Sequence, residues 1–333
     1  MVRLNFDIDF VVSWVDGNDP QWMSKHDKYA SQDTLDVKKA RFRDYGIFKY
    51  WFRAVQSYAP WVHHIFLVTD NQRPDWLIEN DKLTVIDHSQ IMDEKYLPVF
   101  NSSAIELNVH KIPNLAEHFV YFNDDMFLNK LVRPTDFFST KGLPKDTAGL
   151  NAIQPLYDFD YIHVNNMKII NENFSKKDVM RTQFFKFFNP INMELNIYTA
   201  LLFFWPKFTR FFDLHYPYSI NKSQMSSVIR ENLIAYNKTM NDRFRSTDDI
   251  TIWLVRYYAL VKGQFSPRTP RVGKIYDLLT QRQGAIDDLV KGKHKMIVMN
   301  DDANISDSEF DRLTIELHKL FQEKLPDRSS FEK

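Results

Sequence analysis

Two adjacent aspartates follow a hydrophobic run in "HFVYFNDD", where Asp124 and Asp125 come directly after Asn123. Adjacent carboxylates repel each other, and burial of their charge is costly unless a positive group compensates it. Mg²⁺ and Mn²⁺ prefer oxygen ligands, and in enzymes they often bind carboxylates and substrate phosphates at the same time. The pair could therefore bind a metal ion that also contacts a diphosphate. A solvated turn or a helix cap is the alternative that the pair alone leaves open.

The segment "WVDGNDP", residues 14–20, is a second candidate for binding a nucleotide. Its Gly17 follows the first predicted strand, and a glycine there lets backbone N–H groups approach a phosphate closely. Asp16 or Asp19 could accept hydrogen bonds from ribose hydroxyls or bind a metal ion. An ordinary Asp-Gly turn explains the same residues equally well.

The pattern Arg-Phe-Arg occurs twice, with Arg41 and Arg43 in the first copy and Arg243 and Arg245 in the second. Both copies precede a predicted helix. Arginine binds phosphate oxygens in a bidentate manner, and a helix N-terminus favours anions. We therefore treat the four arginines as candidate diphosphate ligands, with exposed surface arginines as the alternative.

His215 lies in the predicted loop "DLHYPYS". A loop histidine can act as a general base or as a nucleophile that accepts a phosphoryl group, and a structural histidine is the alternative. Glu106 in "FNSSAIE" also has two interpretations. Its spacing from Ser103 is that of a capping box, yet its carboxylate could face a site.

The candidate residues fall at the ends of elements of a predicted α/β fold. Strands are predicted in "IDFVVSWVDG", "HHIFLVTD", "LTVIDHS" and "HFVYF", and helices in "DYGIFKYWFRAVQSYAP" and "NSSAIELNVHKIP". This alternation over about the first 130 residues predicts a mostly parallel sheet. Ligands of such sheets bind outside the carboxyl ends of the strands, where Asp124 and Asp125 are expected.

The remainder of the chain predicts an insertion and further helices. Residues 141–213 are rich in Asn and Phe, which indicates either core packing or a surface that contacts a membrane or a lipid-linked acceptor. The segment "STDDITIWLVRYYALVKG" predicts a helix that begins with a capping box of Ser246 and Asp249. We predict one catalytic domain over 1–270, which includes the insertion, and a helical extension over 271–333.

The composition narrows the class of protein. The 333 residues include 43 Lys+Arg and 43 Asp+Glu, so the net charge of zero does not indicate a nucleic-acid-binding protein. The absence of cysteine excludes disulfides and thiolate metal ligands. The longest uncharged apolar stretch, 195–206, is too short to span a bilayer, and the N-terminus lacks a signal-peptide pattern. We expect a cytoplasmic protein that contacts at most the inner face of the cell membrane.

The motifs occur in an order that resembles the Stealth family. Its four signature blocks are similar to residues 8–22, 41–128, 214–220 and 243–250 of this chain. Stealth proteins are sugar-1-phosphate transferases, and the bacterial members make phosphodiester-linked capsule, cell wall or exopolysaccharide. The resemblance therefore implies a Rossmann-like or GT-A-like nucleotide-binding core.

The resemblance also implies roles for particular residues. It implies that Asp124 and Asp125 bind Mg²⁺ or Mn²⁺, and that Asp125 acts in catalysis with His215, Arg243 and Arg245. The residues that it implies for substrate binding are Trp14, Asp16, Gly17, Asn18, Asp19, Arg41, Arg43, Asn101, Glu106 and Asn123.

The expected reaction follows from these implied roles. A hydroxyl of a glycan or lipid-linked oligosaccharide attacks the phosphorus nearest the sugar of a UDP-sugar, and UMP leaves. The product is a phosphodiester link in a capsular polysaccharide or exopolysaccharide. Two alternatives stay open at this point. One is a metal-dependent glycosyltransferase that releases UDP, and the other is a glycan-binding protein without catalytic activity.

Overall fold

Near-continuous apolar runs of the sequence form the strands of a central sheet. The computed structural model describes residues 4–30, 43–155, 160–301 and 304–333. Its strands are β1 Ile8–Ser13, β2 Ile65–Thr69, β3 Leu83–Asp87, β4 His118–Asn123, β5 Met126–Leu128, β6 Lys145–Asp146, β7 Leu150–Asn151, β8 Arg210–Phe211, β9 Tyr218–Asn221, β10 Ser266–Pro267, β11 Gly273–Asp277 and β12 Met296–Asn300.

The five-stranded central sheet has the order β3-β2-β1-β4-β9. The first four strands are parallel, and β9 pairs antiparallel with β4 at one edge. Phe10, Val11 and Val12 of β1 are fully buried, as expected for a parallel strand covered on both faces. The predicted α/β fold with a mostly parallel sheet is confirmed.

Helices connect these strands and cover the sheet. They are α1 Pro20–Tyr29, α2 Phe48–Tyr58, α3 Ser102–Glu106, α4 Tyr161–Asn173, α5 Lys176–Thr182, α6 Phe184–Phe187, α7 Leu195–Leu202, α8 Lys222–Glu231, α9 Leu233–Asn241, α10 Trp253–Lys262, α11 Arg282–Lys291 and α12 Asp307–Lys324. None of these helices is both long and apolar enough to cross a bilayer within the described residues.

Both predicted capping boxes are wrong, and each has a structural reason. Asn101 caps α3 instead of Ser103, because the Asn101 side chain accepts a hydrogen bond from the Ser103 N–H. The second helix, α10, begins only at Trp253 and has no side-chain cap. The Asp249 carboxylate accepts from the Ser246 N–H, but it also accepts from the Asn101 side chain, so it joins two loops rather than starting a helix.

The helix predicted over "NSSAIELNVHKIP" is shorter than expected. It is divided into α3 and a separate 3₁₀ turn at Val109–Lys111.

The insertion predicted over 141–213 consists, in its described residues, mainly of α4 to α7 with three short strands. Helix α4 packs on α10, and the Asn166 side chain donates to Thr251 Oγ1 at 3.0 Å. The insertion is therefore joined to the rest of the chain next to α10.

Residues 271–333, expected to be a helical extension, also supply two strands. β11 pairs parallel with β12, and β12 pairs antiparallel with β5, which follows directly after the two aspartates. The Met299 N–H donates to the carbonyl oxygen of Asp125 at 3.1 Å. In α12, Phe321 packs on Phe127 with ring centroids 5.0 Å apart. The C-terminal residues therefore hold the turn that carries Asp124 and Asp125.

Candidate active site

A cavity of about 780 Å³ lies at the carboxyl ends of the central strands. Trp14 after β1, Asp70 after β2, His88 after β3 and Asn123 at the end of β4 all line it. This is the edge at which the sequence predicted a ligand site. Because neighbouring strands end side by side, residues far apart in the chain meet in one wall.

Asp124 and Asp125 occupy the turn between β4 and β5, and both line the cavity. The Asp124 side chain is exposed to solvent, but partial desolvation by the cavity walls, together with the charges of Asp125 and Asp44, raises its pKa to about 8. Asp125 Oδ1 is buried and has no hydrogen-bond partner among the described residues. The turn therefore holds one carboxylate oxygen, Asp125 Oδ1, to which no described residue donates a hydrogen bond.

His215 lies opposite this turn. Its Nε2 is 3.7 Å from Asp125 Oδ2, and its Nδ1 is 2.9 Å from the Tyr218 hydroxyl. The Trp253 Nε1–H donates to the same hydroxyl at 2.7 Å, so both sides of the histidine ring are held in place. Burial lowers the pKa of His215, but Asp125 and Glu106 outweigh it, and the net pKa is raised.

Glu106, at the end of α3, is buried and faces the same cavity. Burial is the main cause that raises its pKa to about 7; the charge of Asp125 adds to the rise, and His215 opposes it. Glu106, Asp125 and His215 thus form one electrostatically coupled group. Buried titratable groups with shifted pKa values in a cavity are typical of catalytic sites.

The carboxylates of the turn fit a divalent metal ion. Their donors are oxygens, which suit Mg²⁺ or Mn²⁺, and the unpartnered Oδ1 of Asp125 offers a ligand position. Within 4–30, 43–155, 160–301 and 304–333, no three His, Cys, Asp or Glu side chains form a metal-binding group. A metal ion at this turn would therefore take further ligands from water and substrate phosphates, as Mg²⁺ commonly does. The predicted cofactor stays a prediction.

The candidate arginines have different surroundings. Arg43 lines the cavity, with Nη2 3.2 Å from Asp301 Oδ2. Arg245 also lines it and donates to Ser102 Oγ at 2.7 Å, and burial lowers the pKa of Arg245 to about 10. Two of the four arginines are thus brought together in the cavity wall. Arg41 lies outside the described residues.

Arg243 is not part of the cavity wall. Its Nη1 donates to the carbonyl oxygens of Leu97 and Pro98 at 3.0 Å, and its guanidinium lies over the Tyr29 ring. Two residues apart in an irregular segment, Arg243 and Arg245 point to different surroundings. Arg243 therefore has a structural position. It makes no contact with the cavity that would support its predicted catalytic role.

Of the segment 14–19, Trp14 reaches the cavity wall. Its ring stacks on Phe48, and its Nε1–H donates to Asp44 Oδ2 at 3.3 Å. The other predicted contacts, Asp16, Gly17, Asn18 and Asp19, form the turn that leads into α1 and are not among the residues that line the cavity.

This turn is stabilised by its own side chains. Asp16 Oδ1 accepts from the Asn18 N–H at 2.8 Å, and Asp19 caps α1 by accepting from the Gln21 N–H at 2.9 Å. Gln72, after β2, donates to Asp19 and accepts from the Asp16 N–H. These contacts account for the two aspartates structurally, and their predicted role in nucleotide binding stays a prediction.

The two asparagines also differ. Asn123 lines the cavity, with Nδ2 3.4 Å from His215 Nε2. Asn101 is fully buried outside the cavity wall, and its Nδ2 donates to Asp249 Oδ2 at 2.8 Å. Because Asn101 joins the start of α3 to the segment that carries Arg245, its position is that of a supporting residue.

Several residues of the cavity were missed in the sequence. The missed residues that matter below are Asp44, His163, Arg210, Tyr218, Trp253 and Asp301. Asp44 directly follows Arg43, and Tyr218 comes three residues after His215, so both lay within recognised motifs. His163 and Arg210 carry no sequence signal, because only the folding of the insertion brings them to the cavity.

Comparisons with known proteins identify a family and several similar proteins. The family model "Stealth protein CR2, conserved region 2" matches residues 41–146, and "Stealth protein CR1, conserved region 1" matches residues 6–34. The exopolysaccharide phosphotransferase cps2G of Lactiplantibacillus plantarum is 55% identical over 98% of this chain and 97% of its own length. The receptor polysaccharide phosphotransferase WefC of Streptococcus oralis is 40% identical over 98% and 99%. The capsular polysaccharide phosphotransferase WcwK of Streptococcus pneumoniae is 39% identical over 98% and 99%.

Proposed function

The chain belongs to the Stealth family and is a phosphotransferase, and from this premise we propose that it transfers a sugar 1-phosphate from a UDP-sugar to a glycan hydroxyl and releases UMP. The observation that carries this proposal is the approach of His215 Nε2 to Asp125 Oδ2 in a cavity that Asp124 and Glu106 also line. A base thus lies beside carboxylates suited to a metal–diphosphate complex. The similarity to these phosphotransferases favours an enzyme over a glycan-binding protein without activity.

His215 is proposed to take the proton from the acceptor hydroxyl. Trp253 Nε1–H can only donate, so the Tyr218 oxygen accepts it and can accept the His215 Nδ1–H as well. Nε2 then carries the lone pair that a general base needs. After the transfer, Asp125 and Glu106 stabilise the imidazolium, because they are the same groups that raise the pKa of His215.

Positive groups are needed where charge develops on the transferring phosphoryl oxygens. Arg43 and Arg245 line the cavity and are proposed to contact these oxygens. Asp124 and Asp125 would hold Mg²⁺, which when bound neutralises charge on the diphosphate. Arg245 is partly buried, so water screens its charge less than that of a surface arginine.

The proposed displacement occurs at the phosphorus nearest the donor sugar. The acceptor oxygen forms a bond to this phosphorus, the bond from phosphorus to the oxygen of UMP breaks, and His215 holds the acceptor proton. The bond between sugar C1 and its oxygen stays intact, so the anomeric configuration of the donor is kept. The product is a sugar–phosphate–sugar link of the kind expected for an exopolysaccharide.

The acceptor is proposed to be a glycan or a lipid-linked oligosaccharide. The insertion exposes large apolar side chains, which are those of Phe185, Ile197, Leu201, Phe204 and Trp205. Exposed aromatic and aliphatic groups of this kind suit peripheral contact with a lipid surface. We therefore propose that the enzyme works at the inner face of the cell membrane, with the insertion turned toward the lipid.

The nucleotide that is released tests the reaction. Purified protein is incubated with a panel of UDP-sugars, Mg²⁺ and short glycan acceptors, with and without EDTA, and the nucleotide product is identified. We expect UMP, and we expect EDTA to abolish it. Release of UDP would instead assign attack at sugar C1 and a glycosyltransferase. Release of no nucleotide from any UDP-sugar would contradict this class of donor.

A further inference from the structure

One part of the cavity wall has no role in the reaction described above. It consists of Arg210 from β8, His163 from α4 and Trp253 at the start of α10. Arg210 and His163 belong to the insertion, and all three residues lie outside the ranges that the family models match. We call these three residues the insertion wall.

The insertion wall lies toward β9, whereas the nucleotide is proposed to bind toward β3, at the other edge of the central sheet. The nucleotide end is formed after β1, β2 and β3, and the insertion wall contacts Tyr218 of β9 at the other edge of the sheet. β3 and β9 are four strand spacings apart, which corresponds to about 19 Å. This distance accommodates a nucleoside diphosphate on one side of the reacting phosphorus and a sugar on the other.

Arg210 offers unused hydrogen-bond donors at the insertion wall. Its Nε donates to Asp213 Oδ2 at 2.9 Å, which fixes the guanidinium. The two Nη groups make no hydrogen bond to any described residue, although the side chain is only 18% exposed. These Nη groups face the open cavity and are accessible to water, so they are also available to a ligand with oxygen acceptors.

His163 and Trp253 line the cavity beside Arg210, but both side chains are largely buried, so they offer a ligand only a small uncharged contact. Their rings stack in parallel, with centroids 4.8 Å apart and an angle of 11° between the planes. Burial lowers the pKa of His163 to about 4, so the ring carries no charge at neutral pH. A few convergent polar groups beside aromatic side chains suit a ligand that has both C–H faces and hydroxyls.

The insertion wall is also connected to the base. Trp253 Nε1 donates to the Tyr218 hydroxyl, which in turn contacts His215 Nδ1. A ligand at Trp253 would therefore lie next to the histidine that receives the proton. In phosphoryl transfer the attacking and leaving oxygens are roughly in line. If UMP leaves toward β1–β3, the attacking hydroxyl must come from the opposite side.

We propose that the insertion wall binds the terminal sugar of the acceptor glycan, and that the sugar phosphate passes to it directly in a single displacement. This inference rests on the proposed function. It assigns Arg210, His163 and Trp253 to acceptor binding and makes His215 a base rather than a nucleophile. A phosphohistidine route would instead require the acceptor to enter from the side on which UMP leaves.

The acceptor probe can be made from the exopolysaccharide of the producing strain. Mild acid cleaves the glycosyl phosphate bond, and a phosphatase then removes the phosphate, which leaves oligosaccharides with a free acceptor hydroxyl. Arg210→Gln should raise the KM for these oligosaccharides about tenfold, the effect of one or two lost hydrogen bonds. The KM for the UDP-sugar should change much less. Val164→Ala, an exposed position next to His163 on α4, is the matched control and should change neither KM.

A second readout separates acceptor binding from folding and from the donor site. Without oligosaccharide, water can replace the acceptor, and slow UMP release reports on the donor half of the cavity alone. Arg210→Gln should keep this hydrolysis and lose saturation-transfer NMR signals of the oligosaccharide. A parallel loss of hydrolysis and transfer, or unchanged oligosaccharide signals, would overturn the assignment. Wild-type protein that releases no UMP even with the oligosaccharide present would refute the proposed function itself.

The single displacement has its own test. Wild-type protein is incubated with a UDP-sugar labelled with ³²P in the phosphate next to the sugar, without acceptor, and quenched in alkali, in which phosphohistidine survives. We expect no labelled protein. Label on the wild-type protein that is absent from His215→Ala would show a phosphohistidine and overturn the direct route.

Discussion

Two groups of charged residues, one buried in the protein interior and one in the cavity wall, differ in how their charge is compensated. In the first, which we call the ion-pair cluster, Arg256 Nε donates to Asp146 Oδ2 at 2.6 Å and Arg256 Nη1 to Asp213 Oδ1 at 2.7 Å. Asp213 Oδ2 accepts from Arg210 and from the Tyr257 hydroxyl. The charges of this cluster are matched within the protein, since each aspartate pairs with an arginine.

The second group, which we call the acidic cluster, consists of Asp44, Glu106, Asp124 and Asp125 in the cavity wall. Its carboxylates repel one another; partial desolvation in the cavity and the charge of Asp125 raise the pKa of Asp124 to about 8, and burial raises that of Glu106 to about 7. Burial lowers the pKa of Arg256 in the ion-pair cluster, but Asp146 and Asp213 reverse the effect and stabilise the charged form.

The difference distinguishes structural charge from functional charge. A buried charge that has its partner within the chain contributes to a specific fold, and loss of that partner is costly. Carboxylates that repel one another in a cavity wall, with only one histidine beside them, destabilise the free protein when charged and favour the binding of a cation. The same substitution, Asp to Asn, should therefore have opposite consequences in the two clusters.

The largest effect is expected from Asp125→Asn in the acidic cluster. Loss of this carboxylate removes a proposed metal ligand and the partner of His215, so kcat for UMP release should fall roughly 10³-fold. The melting temperature should stay the same or rise, because an incompletely compensated buried charge is removed. Activity assays and thermal melts on the same sample check both points. Wild-type turnover in this variant would refute the role of Asp125.

The second prediction concerns Asp213→Asn in the ion-pair cluster. Arg256 and Arg210 would lose a charged partner while staying largely buried, so the free energy of unfolding should fall by about 3 kcal/mol. Urea unfolding measures this change. Asp287→Asn, which breaks the exposed pair with Lys291, is the matched control and should have little effect. Equal losses in the two variants would contradict the distinction between the clusters.

The smallest predicted effect is the pH dependence of stability in EDTA. The pKa of Asp124 is raised in the folded state, so the folded protein holds a proton that the unfolded chain has lost between about pH 4 and pH 8. Stability therefore falls as pH rises through this window. The Asp124 side chain is exposed to solvent, which screens its charge, so the decrease in stability from pH 6.5 to pH 8.5 should be small.

Melting curves of wild type and Asp124→Asn in EDTA measure this contribution. The variant should show a weaker decrease with pH, because its side chain does not titrate. Mg²⁺ should stabilise the wild type more at pH 8.5 than at pH 6.5, since binding competes with the proton. Identical pH profiles of the two proteins would contradict the raised pKa.

Much of the sheet was predictable from local patterns. The apolar run of β1 and the turn chemistry after it can be recognised in the sequence, and so can Asp124 and Asp125 at the end of β4. Alternating strands and helices imply that such strand ends meet at one edge of the sheet. The position of Asp124 and Asp125 in the site could therefore be predicted from the sequence alone. His215 was found as a loop histidine, but its approach to Asp125 was not predictable.

Other features depend on contacts between distant segments. Ser103 with Glu106 and Ser246 with Asp249 each have the spacing of a capping box. In the structure the Asn101 side chain instead donates to Asp249 across the fold, and neither predicted box forms. Arg243 and Arg245 look equivalent in the sequence, and only one lines the cavity.

The sequence by itself determined the α/β class, the parallel order implied by alternation, and the carboxylate pair at a strand end. These follow from periodicity and from short-range turn chemistry, which act within a few residues. Only the tertiary structure decided which arginine faces the cavity and that β12 holds the turn of Asp124 and Asp125. It also brought Arg210 and His163 next to the base. Such contacts join residues far apart in the chain, and they depend on how whole elements pack.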